Sequence, residues 1–160
     1  AIYGDSLGLY DGFLRASEEY EGYVGGKLAQ YNLGISYLNN KEYTLAIETL
    51  EKVNFEDELL GTITLGAIGD AFLQLGSVND ALENYERAYN RKENELTTPI
   101  YLMKAALCLE ILEDYEMAIN LYRDVMQKYP LSNVANNAEK YMESLLLGKP
   151  VYQFEKEELE

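Results

Sequence analysis

The chain has 160 residues, 28 of them acidic and 13 basic, with no histidine, one cysteine and a formal charge of −15. So acidic a surface is a poor match for DNA, RNA or anionic lipid headgroups, whose binding needs Lys and Arg. Without His the commonest general base and metal ligand are missing, so a Ser–His–Asp or Cys–His device is excluded and neither metal nor cofactor is expected.

Apolar residues recur at i, i+3, i+4 and i+7 in segment after segment, and no stretch alternates long enough for a strand. The pattern predicts eight helices over about 9–20, 26–39, 42–53, 57–75, 78–89, 97–111, 115–128 and 132–146. Glu56, Asp57 and Glu58 crowd the start of the fourth, where acids complement the positive end of the helix dipole. The sixth starts with Thr98 as cap and Pro99 at the first helical position, where a missing N–H costs nothing. Pro130 closes the seventh and Ser132 is placed to cap the eighth. Cys108, in the apolar run "KAALCLEIL", reads as a small buried hydrophobe. Past Gly148 the charged tail "KPVYQFEKEELE" lacks a useful apolar face and is expected to be mobile or opportunistically docked.

Three segments superimpose without a gap: "YNLGISYLNNKEYTLAIETLEKV" (31–53), "GAIGDAFLQLGSVNDALENYERA" (66–88) and "MKAALCLEILEDYEMAINLYRDV" (103–125). Gly34, Gly69 and Ala106 correspond, as do Tyr37, Phe72 and Leu109. In the second halves Ala46, Ala81 and Ala118 correspond, followed by Leu50, Tyr85 and Tyr122. The small residues let two helices approach closely, and the large ones fill the space beside each approach, so the period is one of packing rather than chemistry. Tyr37, Tyr43, Tyr85, Tyr115 and Tyr122 fall at packing positions, which leaves Tyr89, Tyr101 and Tyr141 unassigned.

These positions resemble the tetratricopeptide repeat (TPR), a helix–turn–helix unit of 34 residues closed by a proline. Pro130 keeps that closing residue, whereas the first two segments carry Glu58 and Glu93 there. The resemblance implies an all-α, TPR-type right-handed solenoid of about eight antiparallel helices, three TPR hairpins plus flanking capping helices. The expected division is an N-terminal segment and capping helix over 1–26, three repeats over 27–131 (27–61, 62–98 and 99–131), a C-terminal capping helix over 132–147 and a charged tail over 148–160. "YDGFLRASEEY" resembles a degenerate second helix of an earlier repeat, and "SNVANNAEKYMESLL" a solvating first helix. "YRDVMQKYPLSNVANNA" and the wider layout also look like the bacterial YfgM-type, translocon-associated TPR proteins. That resemblance implies a periplasm-facing domain held at the inner membrane by an anchor helix ahead of Ala1, with a cytoplasmic location as the alternative.

In such an array the first helices of the repeats line a concave groove. The register puts Leu28, Tyr31, Ile35, Leu38 and Asn39 there from the first repeat, then Ile63, Gly66, Asp70, Leu73 and Gln74 from the second. Ile100, Met103, Leu107, Glu110 and Ile111 follow from the third. TPR domains that clamp a C-terminal carboxylate use Lys and Asn at five groove positions; here these are Tyr31, Ile35, Ala67, Ile100 and Lys104, of which only Lys104 fits. An apolar extended or helical segment suits the surface better. The expected function is thus a non-catalytic scaffold binding a protein or peptide segment, with no nucleic acid, metal or cofactor as partner. The alternative is a structural, self-associating TPR module, a homodimer for instance. The remote alternative is a carboxylate-based hydrolase using Asp70 and Glu110.

Overall fold

A computed structural model describes residues 2–3 and 12–151. Among them are eight α-helices and no strand: α1 (Phe13–Glu19), α2 (Val24–Asn39), α3 (Tyr43–Leu50), α4 (Glu58–Gln74), α5 (Val78–Arg91), α6 (Thr98–Ile111), α7 (Tyr115–Lys128) and α8 (Ala135–Leu146). The all-α, hairpin-built architecture expected from the periodicity is what the chain adopts. None of these helices is long and apolar enough to cross a membrane. The chain divides into two compact units, Ala1–Ser77 and Val78–Glu160, with the boundary at the turn between α4 and α5. The expected first helix begins before Phe13, and that part lies outside the described residues.

In the first unit α1 packs on α2, α2 on α3 and α3 on α4, with α2 also touching α4. The core joins Leu33 and Tyr37 of α2, Ala46, Ile47 and Leu50 of α3, and Ala67, Ile68 and Ala71 of α4, closed at one side by Ile2. Two glycines permit the close approaches. A Cβ on Gly34 would lie 2.5 Å from Leu50 Cγ, and one on Gly26 would lie 1.9 Å from the Tyr20 carbonyl oxygen. Asp57 caps α4 by accepting the Leu60 N–H at 2.8 Å, and Glu58 follows it in the first turn.

In the second unit α6 packs between α5 and α7, and α8 covers α7. Its core gathers Leu102, Met103, Ala106 and Leu109 of α6 with Ala118, Tyr122 and Val125 of α7 and Ala138 and Leu145 of α8. Tyr101 stacks on Tyr85 with ring centroids 6.3 Å apart, and Tyr141 meets Tyr122 edge-on at 6.0 Å. Cys108 is buried, as its apolar surroundings imply.

Two expected caps differ. α6 begins at Thr98, so Thr98 and Pro99 are its first two residues and Thr97 is the flanking one. The Thr98 hydroxyl instead accepts the Asn94 N–H at 2.9 Å, while Asn94 Oδ1 accepts the N–H groups of Leu96 and Thr97. The side chains therefore organise the loop before the helix. Ser132 sits two residues too early to cap α8, which starts after Val134; its hydroxyl accepts the Val134 N–H at 3.4 Å.

The turn that ends each first helix recurs with the repeat. Lys41, Gly76 and Glu113 have φ of 64°, 78° and 63° and occupy equivalent register positions. At each, the reversed residue's N–H returns to the carbonyl three back, and the next N–H to the carbonyl five back, at Tyr37, Phe72 and Leu109. This is the Schellman closure, which satisfies carbonyls that a helix end would otherwise strand. Gly148, with φ of 72°, closes α8 in the same way, its own N–H bonding Leu145 and that of Lys149 bonding Ser144.

Candidate peptide-binding surface

The first helices of the repeats are α2, α4 and α6. In the first unit α2 and α4 lie side by side. On α2, Leu28 and Asn39 are exposed, while Tyr31, Ile35 and Leu38 are half-buried with one side against the core. Tyr31 is steadied by an edge-on contact with the buried Phe55 ring. On α4, Ile63, Asp70 and Leu73 are half-buried and Gln74 is exposed, whereas Gly66 is buried. The Tyr43 hydroxyl donates to Gln74 Oε1 at 3.4 Å, tying the end of α4 to the start of α3. Half-burial leaves these aliphatic side chains with part of their surface open to solvent on two helices that touch, and exposed apolar surface of this kind is what interaction sites are built from.

In the second unit, α6 offers Ile100, Leu107 and Ile111 as half-buried residues. Met103 and Glu110 do not join them. Met103 is 6% exposed and belongs to the core, and Glu110 is 0% exposed. One carboxylate oxygen of Glu110 accepts the Tyr122 hydroxyl at 2.5 Å and the other accepts the Val151 N–H at 2.8 Å. Burial pushes the Glu110 carboxyl above its ordinary value, against the pull of these two hydrogen bonds. The same contact pushes the Tyr122 hydroxyl up, first by burial and then by its bond to the carboxylate.

Lys104, the single fit to the carboxylate-clamp pattern, lies over the Tyr85 and Tyr101 rings at 5.5 and 5.9 Å from their centroids. Its charge thus has an aromatic neighbourhood of its own. Each unit also carries a cleft lined by other residues. The first, about 350 Å³, lies between α1 and α3 over Leu33 and Tyr37, with Glu18, Glu48 and Lys52 on its rim. The second, about 300 Å³, lies between α5 and α7 and includes Tyr89, Glu93, Asp124 and Tyr129.

Sequence reasoning missed two polar links, Glu110 to Val151 and Glu93 to Tyr129, the latter at 2.5 Å. A trace of the first was visible: Glu110 replaces a leucine found at the equivalent Leu38 and Leu73, with a tyrosine twelve residues on. Glu93, at a register position where the repeat pattern has proline, was a trace of the second.

A tetratricopeptide repeat model matches residues 67–133, and a second tetratricopeptide repeat model matches residues 28–54. The matched segments include all of α3, α5, α6 and α7. No curated relative matches the chain.

Proposed function

This chain belongs to the tetratricopeptide repeat family, and on that premise we propose that it is a non-catalytic scaffold that holds an apolar polypeptide segment against the first helices of its repeats. The family's repeats point to a protein–protein interaction module and are typically non-catalytic. The observation that carries the narrower reading is that Ile35 and Leu38 on α2, and Ile63 and Leu73 on α4, the helix it touches, are apolar yet only half covered. Peptides that dock in such a place supply alternate apolar side chains or one face of a helix.

The test is selection of binding peptides from a random displayed library on the full chain, followed by affinity measurement on variants. Leu73→Arg is expected to weaken the selected peptides at least tenfold with helicity unchanged, and Leu107→Arg reports on α6 in the same way. Leu45→Arg, on the exposed side of α3, serves as the control. Equal binding by wild type and Leu73→Arg counts against the reading. Met103→Arg is not a clean probe, because it would bury a charge in the core.

The junction "YRDVMQKYPLSNVANNA" supports placing this scaffold at a bacterial inner membrane, facing the periplasm. An apolar run of ~20 residues encoded upstream of Ala1 is the observation that reading requires. Self-association is the second reading, favoured by the exposure of Leu131, Leu146 and Leu147 around α8. Sedimentation equilibrium distinguishes it: a dimer broken by Leu147→Glu supports it, and a monomer at all concentrations removes it.

A further inference from the structure

Glu110 is a buried carboxylate at a position that is otherwise apolar. Counted back from the reversed residue of each turn, its equivalents are Leu38, Leu73 and Leu145. Replacing leucine by a carboxylate in a packed joint is strongly unfavourable unless both oxygens find donors. They do, and the two donors differ in kind. The Tyr122 hydroxyl comes from the partner helix of the same hairpin, whereas the Val151 N–H comes from the chain after α8.

The geometry of that second donor is specific. Gly148 reverses the chain, the buried Pro150 has no N–H to offer, and Val151, which is helical, presents the next free one. A main-chain N–H with no helical partner suits a carboxylate. Glu110 thus accepts a main-chain N–H, as Asp57 and Asp114 do, but from a residue forty-one positions away.

We propose that the segment 148–151 is a built-in ligand of the third hairpin, docked through the Val151 N–H on the Glu110–Tyr122 pair, and that it is a tethered competitor of incoming polypeptide at the end of α6. The Glu110 oxygen it leaves on release is an acceptor for a main-chain N–H of a segment of the same kind, a proline followed by a β-branched residue. Tethering gives the internal segment a high effective concentration, so a free segment binds appreciably only when the tether is disabled. The competition half rests on the peptide-binding reading above; the docking half does not.

The experiment uses the full chain in four forms: wild type, Val151→Pro, Glu110→Leu with Tyr122→Phe, and all three substitutions together. The paired substitution gives position 110 the leucine of its equivalents Leu38 and Leu73 and leaves no hydroxyl stranded. Amide exchange of Val151 is expected to be slow in wild type and at least tenfold faster in the Glu110→Leu, Tyr122→Phe form, with helicity retained. A labelled peptide of sequence GKPVYQFEKEELE is expected to bind Val151→Pro at least tenfold tighter than wild type, and to lose that gain in the triple variant. Unprotected Val151 in wild type, or exchange unaltered by the paired substitution, overturns the docking. Peptide binding that is equal in all four forms, or absent from Val151→Pro, overturns the competition. Should the paired variant lose helicity, protection of the Val151 amide in wild type tests the docking, and peptide binding to Val151→Pro, which removes the donor and leaves the core intact, tests the competition. If Leu73→Arg spares the selected peptides while Val151 exchange responds as expected, the peptide-binding reading fails and the docking stands.

Discussion

The Tyr129 hydroxyl donates to Glu93 Oε1 at 2.5 Å, joining the residue that follows α7 to the one that closes the preceding repeat. Glu93 stands where the repeat pattern has its proline, and Pro130 is its equivalent in the next repeat. The departure from the pattern therefore has a structural use: an acceptor replaces a ring and ties two successive second helices at their ends.

Tyr129→Phe should lower stability by about 1 kcal/mol, the net worth of one hydrogen bond, with Glu93 returned to water. Burial, then the bond to Glu93, pushes the Tyr129 hydroxyl up to about 12 from the ordinary 10.0. The folded state holds that proton more tightly, so the contribution is complete below 10.0 and is lost as pH rises through about 12. Urea midpoints of wild type and Tyr129→Phe should therefore converge over that range.

Gly34→Ala should destabilise although alanine is the better helix former. The added Cβ would meet Leu50 Cγ at 2.5 Å and Cδ2 at 2.6 Å, and Leu50 is itself fully buried. Overpacking of about 1–3 kcal/mol outweighs a propensity gain of about 1 kcal/mol. Ala118→Leu, at a position with no exposed surface, should cost about the same. Thermal melts check both, and an unchanged Gly34→Ala midpoint would show that the α2–α3 joint can open without penalty.

Glu113 and Lys41 adopt the left-handed turn that Gly76 adopts freely. Glu113→Gly should raise stability by up to about 1 kcal/mol, because relief of the Cβ clash exceeds the added freedom of the unfolded chain. Gly76→Ala should lower it by a similar amount. Chemical denaturation of the two variants should move the midpoints in opposite directions.

Glu110→Gln should alter the pH dependence of stability. The folded carboxyl titrates above its ordinary 4.5, so its contribution is greatest below 4.5 and is lost as pH rises through the raised value. The amide keeps one acceptor for the Val151 N–H and gives Tyr122 a donor, without a charge to bury. The variant should gain on wild type as pH rises above 4.5, and a difference that stays constant as pH rises would show that the group titrates alike in the folded and unfolded states.

The helices and their register were legible because the signal is redundant: Gly34, Gly69 and Ala106 with Ala46, Ala81 and Ala118 state one packing rule three times. The turns were less legible, since Lys41 and Glu113 give no hint of a left-handed conformation that Gly76 advertises. Cap positions slipped at Thr98 and Ser132 because a hydroxyl has several nearby N–H groups to choose among, and Asn94 and Val134 won. Of the candidate surface, Leu28, Ile35, Leu73 and Leu107 retain exposed area, whereas Met103 and Glu110 do not. Periodicity assigns a side chain to a face but not to what later covers that face. Glu110 is covered by Val151, forty-one residues away, which local pattern cannot register.

Within each unit the helix interfaces run between chain neighbours, α1 to α2 to α3 to α4 and α5 to α6 to α7 to α8, with α2 and α4 adding one step over a single helix. Such short-range wiring demands little loop closure before contacts become favourable, so assembly should be rapid and should proceed by zippering outward from whichever hairpin forms first. It also means that a damaged terminus can fray by one helix while the neighbouring pair stays wound, which gives natural variation at the ends a milder effect than the same change in α3 or α6.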